Sequence, residues 1–187
     1  MTAELAVDWR LDDRTTLRSF VNDDAGELFA LVEANRDRLL PWMPWSHVTQ
    51  GPEDIRGFIE RSLTTHELRL DATGIWVDGR IAGTTGLRLD AFDVKGEIGY
   101  WIGREFEGQG LVTRACTRFL EHGFDGLGLH RISIHAAVEN ARSRAIPERL
   151  GFTQEGVLRG AERCGDVYHD LVVYSMLEDE WRERTSA

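Results

Sequence analysis

The residues in this chain best suited to chemistry are Phe106-Glu107-Gly108-Gln109-Gly110-Leu111-Val112-Thr113-Arg114-Ala115-Cys116. An apolar aromatic run, Gly99-Tyr100-Trp101-Ile102, comes just before them, and a helical pattern follows. Strand, glycine loop and helix in that order build a seat for a phosphate-bearing ligand. Glycine lets the backbone come close to the anion, and the free N–H groups of the helix's first turn point at it. Backbone amides from Gln109 to Thr113 would make that contact, with the Thr113 hydroxyl as a further donor. A tight turn that merely opens a helix has the same composition, so the loop alone leaves both readings open. It still favours an enzyme or nucleotide binder over a structural module.

The elements that must position this loop are legible from periodicity. Leu17 to Val21 reads as an opening strand, and Ala25 to Leu39 as a helix with Leu28, Leu31, Val32 and Leu39 on one face. Pro41-Trp42-Met43-Pro44-Trp45 breaks that helix with a rigid apolar connector. Pro52 starts a second helix whose buried stripe is Ile55, Phe58, Ile59 and Leu63. Strands are expected over Leu68 to Val77, Arg80 to Leu89 and Gly96 to Ile102, the first two joined by an Asp78-Gly79 hairpin turn. A helix over Gly110 to Phe124, a strand over Arg131 to Val138 and a short helix over Ala141 to Leu150 follow. Gly151 should cap that last helix in the left-handed region, and Pro147 should distort or shorten it. Phe152 to Leu158 and Asp166 to Leu177 complete the strands. The order implies an α/β domain with a mixed, mostly antiparallel sheet of about seven strands and about four helices. The crossover helix between Gly96–Ile102 and Arg131–Val138 makes that pair parallel.

At 187 residues, with 42% hydrophobic and 29% charged, the chain fits one domain spanning residues 1–187. Its net charge of −10 argues against a nucleic-acid binder, because phosphate contacts need clustered Lys and Arg. An acidic surface would suit a cationic substrate such as an amine, or serve solubility alone. No apolar run approaches membrane-span length, and no basic-then-apolar leader opens the chain. Cys116 and Cys164 form neither a disulfide framework nor a metal-type spacing, so no metal and a reducing cytoplasm are expected.

Four blocks together carry a family resemblance. Glu107-Gly108-Gln109-Gly110-Leu111-Val112 resembles the Arg/Gln-x-x-Gly-x-Gly/Ala loop of GCN5-related N-acetyltransferases (GNAT), with Glu107 and Val112 departing from the pattern. Gly96 to Ile102 resembles the family's fourth strand. Asn140, Ser143, Ile146, Leu150, Gly151 and Phe152 match its Asn-x-x-Ser signature ending in Leu-Gly-Phe. Leu39 to Trp45 is similar to the Trp-rich connector of the branch that acetylates ribosomal-protein N-termini (RimJ/RimL type).

The resemblance implies a GNAT-type fold splayed between its fourth and fifth strands, with acetyl-CoA as cosubstrate. Pyrophosphate would rest on Gly108, Gln109, Gly110, Leu111, Val112 and Thr113, with Glu107 turned away. The pantetheine arm would pair with the Trp101–Ile102 backbone, and Asn140 would contact the cofactor, although Asn there is also a natural helix N-cap. Ser143 is implied as general acid and Glu162 as the base, with Glu97, His135 and His169 as rival bases. Trp42 and Met43 would wall the acceptor site, with Tyr168 also lining the cleft. The implied reaction is direct acetyl transfer in a ternary complex to a primary amine, either a protein or peptide N-terminus or a small amine. The implied assembly is a homodimer through the late strands. A sensor that binds acyl-CoA without turnover, or an enzyme using another donor such as succinyl-CoA, stands as the alternative.

Overall fold

A computed structural model describes residues 7–64, 70, 72–90 and 92–185. Among them eight strands form one sheet: β1 (Asp8–Arg10), β2 (Thr15–Ser19), β3 (Thr73–Val77), β4 (Arg80–Asp90), β5 (Lys95–Ile102), β6 (Arg131–Ala137), β7 (Thr153–Cys164) and β8 (Val167–Leu177). The spatial order is β1-β2-β3-β4-β5-β6-β8-β7. Neighbours pair antiparallel except β5 and β6, which run parallel across a helical crossover. Among the described residues there are six α-helices: α1 (Ala25–Ala34), α2 (Arg36–Leu39), α3 (Pro52–Thr64), α4 (Leu111–Glu121), α5 (Ala141–Leu150) and α6 (Glu178–Thr185).

The expected class holds, and the counts of seven strands and four helices rise to eight and six. β1 has only three residues, too few for an alternation to register, and it exists by pairing with β2. The polar α6 buries only Trp181, whose indole N–H points at the Asp125 carboxylate at 3.3 Å. The single helix expected over Ala25 to Leu39 is interrupted at Asn35. There the side-chain amide donates to the Leu31 carbonyl at 2.9 Å and accepts from the Arg104 N–H at 2.9 Å, binding the helix break to the end of β5. The expected strand start at Leu68 and Arg69 lies outside the described residues, as does the Leu63 side chain.

Strand alternation sorts apolar residues to two layers. Ile75, Leu87, Ile98, Ile132 and Ile134 pack with Phe119 and Leu120 of α4 on one face. Trp76, Ile81 and Trp101 pack with Leu28, Val32, Ile55 and Ile59 of α1 and α3 on the other. Each fully buried aliphatic or Phe side chain contributes roughly 1.5–3 kcal/mol. Asp78 and Gly79 turn the β3–β4 hairpin at φ of 50° and 78°, as their types require.

The sheet opens where the resemblance implies. β5 pairs with β6 only from Lys95↔Arg131 to Glu97↔Ser133. Beyond that point β5 stays bonded to β4 as far as Ile102, and β6 to β8 as far as Ala137. The two strands diverge into a gap, and the N-terminus of α5 faces it. Pro147 does not shorten α5, which keeps its expected length from Ala141 to Leu150. Proline has no N–H to offer the carbonyl four residues earlier, that of Ser143. The Tyr100 hydroxyl donates to that carbonyl instead, at 2.9 Å, so β5 satisfies what the helix cannot.

Candidate active site

Two cavities meet at this gap. The larger, about 1010 Å³, runs along the glycine loop and the first turns of α4 and α5. The smaller, about 340 Å³, lies on the α1–α3 side, under the Trp-rich connector. Trp42, Met43, Tyr100, Trp101, Asn140 and Ser143 line both, so they form the passage between them.

The loop has the backbone its glycines predict. Gly108 and Gly110 sit at φ of 73° and 70°, and Gly110 is the N-cap of α4. The first N–H groups of α4 therefore have no intrahelical acceptor. Gly108, Gly110, Leu111, Val112 and Thr113 line the larger cavity. The Gln109 side chain turns away to donate to the Glu105 carbonyl at 3.2 Å. The Thr113 hydroxyl accepts from Arg149 at 3.3 Å. Arg38, Arg114, Arg142 and Arg149 share this wall with only two carboxylates among the described residues, Glu107 and Glu139. The cleft is thus cationic in a chain of net charge −10. Glu107, expected to turn away, lies on the wall between Arg38 and Arg142.

Trp101 and Ile102 close β5 at the passage. β4 approaches them so closely at Gly83 that a Cβ there would stand 2.3 Å from the Trp101 carbonyl oxygen. Asn140 is the N-cap of α5: its side-chain oxygen accepts from the Ser143 N–H at 3.1 Å. The Ser143 hydroxyl donates to the Tyr100 oxygen at 3.4 Å, a long bond that leaves it only loosely engaged. Burial pushes the Tyr100 phenol far above its ordinary value, so it stays neutral.

Glu162 reaches the smaller cavity by a distortion of β7. Leu158 stands opposite Leu171 and Glu162 opposite His169, so the strand bulges between Leu158 and Glu162. Gly160, at φ 57°, donates its N–H to Asp170 at 2.7 Å within the bulge. Bulges re-aim side chains, and here the carboxylate lines the cavity wall with Glu97 and His135. The strands expected over Phe152 to Leu158 and Asp166 to Leu177 leave Glu162 between them; it is instead inside β7, which runs on to Cys164. Desolvation raises its pKa and the Glu97 charge adds to this, while His169, His135 and Arg88 oppose. Arg88 is committed to Glu97 at 2.7 Å.

Trp42 and Met43 line both cavities, and Trp45 packs on Trp101 with ring centroids 5.9 Å apart. Tyr168 is not brought to the site. It stands at the β7–β8 turn, 64% exposed, beside Arg163, and lines neither cavity. Side chains alternate along β8, so its neighbour His169 faces inward instead, packed on Trp42 and 3.6 Å from Glu139. Tyr100, Arg38 and Arg142 escaped sequence reasoning. For Tyr100 a signal existed: a proline four residues after Ser143 leaves a carbonyl in need of an outside donor.

Residues 14–153 match the family model of the acetyltransferase (GNAT) domain. The chain belongs to the GNAT acetyltransferase family. This GNAT protein is 37% identical over 175 residues to the putative ribosomal N-acetyltransferase YdaF of Bacillus subtilis, spanning 92% of this chain and 96% of YdaF. It is 25% identical to the ribosomal-protein-serine acetyltransferase of Escherichia coli, over 91% and 96% of the two chains. Among solved structures it resembles the microcin C7 self-immunity acetyltransferase MccE in complex with acetyl-CoA and AMP. The TM-score is 0.81 and the identity 32%, over 89% of this chain and 94% of that one. It is an acetyl-CoA-dependent N-acetyltransferase. The cleft fits that cosubstrate: it is long, cationic, floored by free amides and open at the strand gap.

Proposed function

We propose that this enzyme acetylates the primary amine of a protein N-terminus by direct transfer in a ternary complex, with small amines as lesser acceptors. The observation that carries this reading is the meeting of a cationic cleft and a carboxylate-bearing pocket at six shared residues. The names of the ribosomal relatives favour a protein acceptor. Residues 1–187 then act as one N-acetyltransferase domain. No described helix is long and apolar enough to cross a membrane, and a ribosomal acceptor places the enzyme in the cytoplasm.

Bound acetyl-CoA supplies an acetyl group activated as a thioester. Amides from Gln109 to Thr113 hold its diphosphate, Asn140 contacts the arm, and the backbone of Trp101 and Ile102 orients the acyl end toward the smaller cavity. Trp42 and Met43 hold the acceptor over that end. Glu162, with its raised pKa, takes the proton from the ammonium. The neutral amine then attacks the thioester carbonyl, and as the C–S bond breaks Ser143 passes its proton to the departing sulfur and takes up the second proton that the nitrogen sheds. Tyr100 is the poorer acid because its proton is committed to the Ser143 carbonyl. The donor is acetyl rather than a carboxylated acyl group. Among the described residues the smaller cavity has one arginine, Arg88, and Glu97 already neutralises it.

Ser143→Ala and Glu162→Gln, assayed on an N-terminal peptide panel with mass readout, test these roles. Each should lower kcat by about 10²- to 10³-fold while CoA affinity by calorimetry stays within a factor of about two. Unchanged turnover in both variants discards the roles. CoA binding with no acetylated product on any peptide or amine would favour a sensor.

A further inference from the structure

Four arginines line the larger cavity, and two of them have other work. Arg114 is held by Asp12 at 3.2 Å and by the Gln109 carbonyl at 2.9 Å. Arg149 donates to Thr113. Arg38 and Arg142 converge on one carboxylate, Glu107: Arg38 through a close ion pair and Arg142 at 3.1 Å. The three residues come from α2, from the corner leading into the glycine loop, and from the first turn of α5. The carboxylate therefore bridges cations from separate walls of the cleft, directly before Gly108. A guanidinium fork that accepts a carboxylate also accepts a phosphate oxygen pair. Arg142 is 78% exposed and Glu107 32%, so the Arg142–Glu107 arm contributes little to folding and exchanges readily with a solute anion, while the Arg38–Glu107 pair, with Arg38 22% exposed, is the firmer arm that binding must displace.

We propose that Arg38 and Arg142 form an anion site beside the glycine loop for a phosphate of the CoA thioester, and that Glu107 fills this site in the free protein as a built-in competitor. The inference rests on the larger cavity being the CoA cleft. Binding exchanges one anion for another at the two guanidinium groups, and no covalent bond changes. Glu107 remains close by after the exchange and repels the phosphate, which weakens CoA affinity and speeds release of the product.

Calorimetric titration of CoA and of 3′-dephospho-CoA into wild type, Glu107→Gln, Arg38→Gln, Arg142→Gln and the Glu107→Gln/Arg38→Gln pair tests this. Glu107→Gln should tighten CoA binding about threefold to tenfold, and each arginine variant should weaken it by a similar factor. The loss from Arg38→Gln should be larger when Glu107 is already neutral. Equal tightening for both ligands assigns the diphosphate to the site, whereas tightening confined to CoA assigns the ribose 3′-phosphate. A Glu107→Gln protein that melts normally and binds CoA no better than wild type overturns the proposal, because Glu107 would then only brace the cleft. If wild type itself fails to bind CoA, the cleft assignment falls and takes this site with it.

Discussion

At the residue scale the informative group is Glu162. Burial raises its pKa, so the native fold favours the neutral acid. A carboxyl whose folded pKa lies above its unfolded one adds stability below the unfolded value, and that contribution disappears as pH rises through the folded value. At neutral pH the charged Glu162 is therefore a local burden. Thermal melts of Glu162→Gln should show a higher Tm than wild type at pH 7, with the difference shrinking to nothing below the ordinary carboxylate range. A lower Tm for the variant at pH 7 would contradict this. Activity has the opposite sign, because a base must be unprotonated. In wild type kcat/KM should rise with pH through an inflection above the usual glutamate range, and Glu162→Gln should abolish it. Glu162 was legible as a candidate because a family pattern named it. Its aim was not legible, because the bulge between Leu158 and Glu162 is set by pairing with β8 and not by local residue type.

At the element scale α5 depends on a partner outside itself. Pro147 withholds an N–H from the Ser143 carbonyl, and Tyr100 of β5 supplies the replacement. Tyr100→Phe should therefore cost about 0.5–1.5 kcal/mol in chemical denaturation, the usual net contribution of a hydrogen bond whose acceptor is only partly buried. Pro147→Ala restores a helical donor, so the same Tyr100→Phe change should cost measurably less in that background. Equal costs in both backgrounds would show that the bond is incidental. The link also positions the Ser143 hydroxyl at the sheet gap, so Tyr100→Phe should slow turnover beyond its effect on stability. Most element boundaries were readable because alternation and glycine turns are local signals. Asn35 was different: its helix break answers a backbone group of Arg104, a residue remote in sequence.

At the scale of the whole molecule, β7 is the outer strand, and its residues 153–161 are exposed. Val157 and Leu158 are 47% and 48% exposed, with Val167 and Tyr168 near the adjoining turn. An unpaired, partly apolar edge invites a second chain, which supports the homodimer proposed from the late strands. Sedimentation of wild type should give a dimer, and Leu158→Asp should shift it toward monomer without loss of the fold. A monomeric wild type at micromolar concentration would refute this. Tyr168 then belongs to that exposed edge and not to the acceptor wall.

The sequence by itself determined the glycine loop, the alternation that builds the sheet, the Gly151 cap and the family. These depend on residue type within a few positions, where backbone sterics and periodicity decide. The tertiary structure alone decided which residues meet. It turned Glu162 and His169 inward and left Tyr168 outside, closed Glu107 between two arginines, and made a cationic cleft in an acidic chain. Those outcomes depend on contacts between elements distant in sequence, and no local pattern encodes the strand register and loop packing that bring them together.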